Sequence, residues 1–126
     1  MASTEKSIEN EIKTYLETRR LQGDKVFFYK QFQSGATMQG LPDIIASIQG
    51  CFVGIEVKTP SGVVSPHQRI VAKLIIQAGG IFILCDNSPQ FIEWYANNYH
   101  NIQSLLGKAF SLKWIDTQKR GKICPK

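Results

Sequence analysis

A strand–helix–strand pattern in the middle of the chain constrains the fold more than any other feature. Cys51–Lys58 and Ile81–Cys85 are two apolar runs rich in β-branched residues. The segment between them begins with Ser65 and Pro66, carries apolar residues at helical spacing, and ends at Gly79–Gly80. Crossovers of this kind are right-handed and join two parallel strands of one sheet. The pattern therefore predicts an α/β fold that contains a parallel strand pair.

The remaining elements follow from the same periodicities. An apolar stripe at Ile8, Ile12, Tyr15 and Leu16 predicts an amphipathic helix over Thr4–Leu21. Further predictions are strands at Val26–Phe32 and Asp43–Ile48, a tight hairpin at Gln49–Gly50, a helix at Ser88–Tyr99, and an edge strand where Phe110, Leu112 and Trp114 alternate. The predicted order is α-β-β-β-α-β-α, and the absence of repeats and linkers favours one domain over residues 1–126.

Composition excludes several classes of protein. With 43% hydrophobic and 20% charged residues, the chain is neither disordered, collagen-like nor a disulfide scaffold. No apolar run approaches the about 20 residues that span a bilayer, and the N-terminal segment is polar and acidic, unlike a targeting peptide. A cytoplasmic protein is therefore expected. Cys51, Cys85 and Cys124 lack the spacing of a zinc site.

The charge balance favours a polyanionic partner. Fifteen Lys and Arg residues against ten Asp and Glu give a net charge of +5, and the isoelectric point is about 9.2. Nucleic acid is the partner that such a balance indicates first, although many small basic proteins bind none.

Two carboxylates and a lysine form the constellation that carries chemistry. Glu56 and Lys58 are two residues apart on a predicted strand, so both side chains leave the same face. Asp43 begins the neighbouring strand of the hairpin. Alone, a Glu-x-Lys strand is more often a solvated ion pair, and a Pro-Asp pair is more often a turn. Together they predict a site where carboxylates hold Mg²⁺ and a lysine assists phosphodiester hydrolysis.

These residues resemble the motif of the PD-(D/E)xK nuclease superfamily, and more narrowly the VRR-NUC domain, the virus-type replication-repair nuclease that occurs as a stand-alone phage protein. The matching pattern is Gly40-x-Pro42-Asp43, Gly54-Ile55-Glu56-Val57-Lys58 and Gly62-x-x-Ser65-x-x-Gln68. The resemblance runs from about residue 5 to residue 85, and residues 88–126 form a C-terminal extension without a recognised motif. It implies a restriction-endonuclease-like core, a mixed sheet flanked by helices.

The resemblance also implies roles for single residues. Asp43 and Glu56 would be ligands of Mg²⁺ or Mn²⁺, together with the backbone carbonyl of Val57. Lys58 would be the catalytic lysine, and Gln68 would point at the site from the first turn of its helix.

The family also places an acidic residue on its first helix. Glu5, Glu9 and Glu11 are the candidates here. At 100° per residue, Glu5 lies about 35° from the centre of the apolar stripe, against about 75° for Glu9 and about 85° for Glu11. Glu5 is therefore the first choice as a metal ligand and Glu9 the second. An acidic first turn that complements the helix dipole is the alternative interpretation.

Four further residues are candidate DNA contacts: Lys30, Ser34, Lys119 and Arg120. His67 is expected to be a surface histidine. Six apolar and aromatic residues of the C-terminal third could form a dimer interface or cover the back of the sheet: Phe91, Trp94, Tyr95, Phe110, Leu112 and Trp114.

The sequence thus predicts a Mg²⁺- or Mn²⁺-dependent endonuclease that cuts branched DNA, such as a Holliday junction, in replication or repair. A homodimer is expected because a junction has two-fold symmetry, and a bacterial or phage-infected cell is the expected setting. No membrane and no small-molecule cofactor are expected. The alternatives are an inactive DNA-binding module of the same fold and a restriction-type or flap nuclease.

Overall fold

The computed structural model describes residues 4–113, and its centre is a five-stranded mixed sheet. The strands lie in chain order across the sheet: β1 Val26–Lys30, β2 Ile44–Ile48, β3 Cys51–Val57, β4 Ile81–Cys85 and β5 Ala109–Leu112. β1, β2 and β3 are antiparallel neighbours. β3, β4 and β5 are parallel to one another. The predicted parallel pair and the α/β class are confirmed.

Three α-helices flank the sheet, and two of them begin with a capping box. They are α1 Glu5–Leu21, α2 Pro66–Gln77 and α3 Ser88–Asn98, and a 3-10 helix, Tyr99–Leu105, follows α3. Thr4 caps α1 and Ser65 caps α2, each through a reciprocal pair of side-chain and backbone hydrogen bonds. None of the helices within residues 4–113 is both long and apolar enough to cross a membrane.

The sheet separates a large core from a smaller one. Alternate side chains of β3, such as Val53 and Ile55, join a buried cluster with Ile8, Ile12 and Phe91 of α1 and α3. On the other face, Gly54 and Gly80 leave room for Ile75 of α2, which would lie within 3.1 Å of a β-carbon at either glycine. Glu56 and Lys58 have the same parity as Gly54, so they belong to the α2 face.

The aromatic residues of α3 lie in the large core. Phe91, Trp94 and Tyr95 are 0%, 5% and 2% exposed, Leu112 is fully buried, and Phe110 packs against the same cluster. Tyr95 stands edge-to-face against Tyr15 of α1 with ring centroids 5.4 Å apart. The prediction that these residues form a dimer interface is therefore wrong for Phe91, Trp94, Tyr95 and Leu112, which are buried within the chain itself, whereas Phe110 is half-buried against the same cluster. Trp114 lies outside the described residues.

Element boundaries depart from the predictions in small ways. The hairpin turn is confirmed, with left-handed φ at Gln49 (52°) and Gly50 (79°). β1 ends at Lys30 rather than Phe32, since the chain turns away after Gln31 donates to the Asp43 carbonyl. The sequence of the 3-10 helix has no pattern that distinguishes it from a continuation of α3, so this element was not predicted. β5 and α3 place residues 88–113 in the same sheet and core as residues 5–85.

Candidate active site

The predicted carboxylates meet at one end of the sheet, where three elements converge. The register of β2 and β3 pairs Ile44 with Ile55, so Asp43 and Glu56 are the next pair along the two strands. Lys58 follows β3, and its backbone N–H continues the ladder by donating to the Cys85 carbonyl. The first turn of α2 faces the same end of the sheet, where Gln68 contacts Glu56. Residues far apart in sequence are thereby brought to one edge.

The two carboxylate oxygens of Asp43 have different partners. Its Oδ2 accepts the Val57 backbone N–H at 2.8 Å. Its Oδ1 lies 3.8 Å from the Lys30 ammonium. Burial raises the pKa of Asp43, and the Val57 hydrogen bond and Lys30 oppose that shift.

Glu56 is the most buried charged group at this edge, at 2% exposure. Its Oε2 accepts a hydrogen bond from Gln68 Nε2 at 2.7 Å and lies 3.8 Å from Lys58 Nζ. Its Oε1 is buried and has no hydrogen-bond partner among residues 4–113. Burial and then the Asp43 carboxylate raise the pKa of Glu56 to about 8, against the opposing charge of Lys58.

Gln68 connects the start of α2 to the carboxylates. Its Oε1 accepts the Ser65 backbone N–H at 2.9 Å, and its Nε2 is left to donate to Glu56. The helix cap and the site thus share one side chain. Gly40 permits this approach: its φ is +83°, and a β-carbon there would lie 2.5 Å from the carbonyl carbon of His67.

The first helix presents Glu9, rather than Glu5, to the interior. Glu9 is 8% exposed, whereas Glu5 and Glu11 are exposed. The prediction that Glu5 faces inward best is wrong, because an angle around the helix axis ignores where the neighbouring strands end. Glu5 lies at the rim, where its Oε2 is 3.4 Å from the Thr59 backbone nitrogen. Glu11 accepts a hydrogen bond from Ser88 and holds α3 to α1.

The candidate DNA contacts fall in different places. Lys30 points inward and donates to Glu9 Oε1 at 3.0 Å, so its ammonium is already paired. Ser34 is exposed in the loop before Asp43, beside a groove of about 500 Å³ whose lining also includes Gln33, Gly40, Asp43, His67 and Gln68. His67 is exposed as expected. Lys119 and Arg120 lie outside the described residues.

The side chains at this edge can be tested for their fit to a divalent cation. Among residues 4–113, no group of three or more His, Cys, Asp or Glu side chains is arranged to hold a metal ion. Within this described range, Asp43 Oδ1 nevertheless has no hydrogen bond, although it faces Lys30, and Glu56 Oε1 has no hydrogen-bond partner. A buried, unpartnered carboxylate oxygen is costly unless a cation or proton satisfies it. Since Mg²⁺ keeps several waters, two carboxylates and a backbone carbonyl fit it.

Comparison with known proteins gives one informative result. No family model matches the sequence, and no curated protein matches it. A solved structure described as a VRR_NUC domain matches this fold with a TM-score of 0.54 and 19% sequence identity, over 77% of this chain and 99% of that chain. The chain has the fold of a VRR_NUC domain. The resemblance drawn from the motif residues is thus confirmed at the level of the fold.

Two features of this candidate site could not be predicted from the sequence patterns. Lys30 contacts both Glu9 and Asp43, a link that only the packing of α1 on β1 creates. Lys113, at the end of β5, donates to the Gly62 carbonyl in the loop that follows Lys58. A lone lysine after an edge strand carries no sequence signal of its own. Lys113 reaches the loop after Lys58 because β5 lies beside β4 in the sheet.

Proposed function

We propose that the protein is a divalent-metal-dependent nuclease that hydrolyses phosphodiester bonds in DNA. One observation carries the proposal: buried Glu56 and half-buried Asp43 lie opposite each other at the edge of the sheet, and Lys58 lies 3.8 Å from Glu56. Among residues 4–113, Glu56 Oε1 has no hydrogen-bond partner. The VRR_NUC fold and the net charge of +5 support the same conclusion.

In this proposal Asp43, Glu56 and the Val57 carbonyl would hold Mg²⁺ or Mn²⁺, with Glu5 or Glu9 nearby. A divalent ion bound there supplies Lewis-acid polarisation of the phosphate and a lowered pKa for its water. The chain's own residues do the rest. Lys58 orients the attacking water or stabilises negative charge on the phosphate, and Gln68 fixes the Glu56 carboxylate by donating to its Oε2.

The groove beside Asp43 is the proposed path of the DNA backbone. Ser34 and the N-terminus of α2 line it, and free N–H groups at a helix N-terminus favour a phosphate. Lys119 and Arg120 would add phosphate contacts. Recognition of DNA structure, such as a branch, rather than of sequence is part of this proposal.

A junction substrate would require two active sites. Symmetric cuts across a four-way junction need two copies of the chain related by a two-fold axis, so a homodimer belongs to this version of the proposal. A flap or duplex nuclease would need only one site.

Replacing Asp43 with Asn tests the metal assignment. Asn keeps an oxygen that can accept the Val57 N–H, so the fold and DNA binding should remain, whereas loss of the charge should abolish cleavage. Cleavage of a labelled substrate in Mg²⁺, with circular dichroism as the folding control, measures this. Activity within about tenfold of wild type would contradict the assignment.

The substrate class follows from a second experiment. A four-way junction, a flap and a linear duplex are incubated with the protein, with and without Mg²⁺. Paired cuts on the junction support junction resolution. Binding of all three without any cleavage would favour an inactive DNA-binding module, although the intact Asp43, Glu56 and Lys58 argue against that outcome.

A further inference from the structure

A lysine of the chain itself lies at the open side of the carboxylate pair. Lys30 Nζ is 3.0 Å from Glu9 Oε1 and 3.8 Å from Asp43 Oδ1. Its side chain is only 25% exposed, and that of Glu9 is 11% exposed. The ammonium is therefore held between α1 and β2 and does not extend into solvent as a phosphate contact would.

The position of this ammonium matters because Asp43 has one oxygen to offer. Its Oδ2 is engaged by the Val57 backbone N–H at 2.8 Å. The oxygen left for a cation, Oδ1, is the one that faces Lys30. We infer that Lys30 is an internal counter-cation of this site, which pairs with the Glu9 and Asp43 carboxylates in the metal-free protein and competes with a divalent ion for Asp43. The inference rests on the proposed function, because it concerns the ion that the nuclease would use.

Other contacts hold Lys30 in place. Its backbone lies opposite Ile44 in the sheet, next to Asp43. The Phe32 ring lies 5.8 Å from its ammonium, a cation–π contact that adds to the pull of Glu9.

A second lysine provides a matched control. Lys13 Nζ lies 3.8 Å from Glu9 Oε2, on the next turn of α1. Of these two partners of Glu9, only Lys30 forms an ion pair with Asp43. Substituting each lysine with Met removes one positive charge and keeps an apolar stem of similar length. A general change in net charge would affect both variants equally, whereas competition for Asp43 would affect only one.

The test is calorimetric titration of the protein with Mn²⁺ alone, without DNA. Lys30→Met should bind Mn²⁺ about tenfold more tightly than wild type, as expected when one positive charge is removed beside a divalent ion at a partly exposed site. Lys13→Met should stay within about twofold of wild type. Lys30→Gln, which removes the positive charge and keeps an amide that can donate to Glu9 Oε1, should tighten Mn²⁺ binding in the same way and provides a second variant if Lys30→Met does not fold.

Thermal unfolding gives an independent readout. In EDTA, Lys30→Met should unfold at a lower temperature than Lys13→Met, because the carboxylates then lack their counter-charge. Saturating Mn²⁺ should raise its unfolding temperature by more than it raises that of wild type.

The outcomes separate the two proposals. If wild type binds Mn²⁺ and Asp43→Asn does not, the proposed metal site is supported. A folded Lys30→Met variant whose Mn²⁺ affinity is equal to or weaker than that of wild type would then overturn only the inference that Lys30 competes with the ion. If Lys30→Met does not fold, equal or weaker Mn²⁺ affinity of Lys30→Gln would overturn it instead. If wild type binds no Mn²⁺, the proposed function fails and the inference fails with it.

Discussion

At the scale of single residues, the burial of Glu56 makes the stability of the metal-free protein depend on pH. Its pKa rises from an ordinary 4.5 to about 8 in the folded protein. The metal-free folded state therefore keeps a proton at neutral pH that the unfolded chain has already released. Unfolding releases this proton, so the free energy of unfolding falls as the pH rises from about 4.5 to about 8.

Glu56→Gln should remove that dependence. The amide stays neutral at every pH, so in EDTA the variant should be more stable than wild type near pH 9 by a few degrees, and the difference should shrink towards pH 5. Thermal unfolding across this range measures it. Parallel pH profiles for the two proteins would show that Glu56 does not titrate as assigned.

Lys58 should affect catalysis more than binding. Lys58→Ala should lower the single-turnover cleavage rate by at least about a hundredfold, the scale expected for a charge-stabilising or proton-transferring group. Substituting Lys119 and Arg120 should instead weaken DNA binding and reduce its salt dependence. Equal losses of binding from both changes would make Lys58 a phosphate contact only.

Sequence patterns predicted the positions of those residues that depend on local spacing along the strands. Asp43, Glu56 and Lys58 come together because strand parity and a two-residue hairpin bring them there, and both can be read from the chain. The inward position of Glu9 could not be read in this way, since it depends on how α1 packs against β1 and on the partner that Lys30 provides.

At the scale of elements, the start of α2 and the loop before Asp43 form one packed unit. Gly40 lies against His67 and Gln68, where a β-carbon would come within 2.8 Å of backbone atoms of both. Gln68 in turn holds Glu56. Packing at Gly40 therefore controls the geometry of the carboxylate pair through the helix.

Gly40→Ala should destabilise the protein by about 2 kcal/mol or more, since the new methyl meets backbone atoms at a φ of +83°. Gly35→Ala is the matched control in the same loop, because its β-carbon would meet nothing within 4 Å. Urea unfolding of both variants measures the difference. Equal stability of the two would mean that the loop moves freely away from α2.

At the scale of the whole molecule, the elements within residues 4–113 leave one sheet face partly uncovered. α2 covers the β3–β4 side, while Phe27, Ser47 and Phe52 form a row across β1, β2 and β3 on the same face. Phe27 is 66% exposed and Phe52 is 44% exposed. The aromatic residues of α3, which sequence composition favoured as an interface, are instead needed inside. Whether these aromatic side chains are buried depends on the width of the folded sheet, which the sequence alone does not show.

Junction cleavage and assembly can therefore be tested together. If the protein resolves four-way junctions, light scattering at micromolar concentration should give twice the chain mass of 14.2 kDa. The double variant Phe27→Ser, Phe52→Ser should then shift towards monomer and lose paired cuts, because it removes the two exposed aromatic rings of this row. Leu21→Ser, which changes an exposed apolar residue at the end of α1, should keep the dimer. A monomeric wild type that still makes paired cuts on a junction would contradict the dimer, and a monomer that cuts only flaps or duplex would identify a nuclease with one independent site.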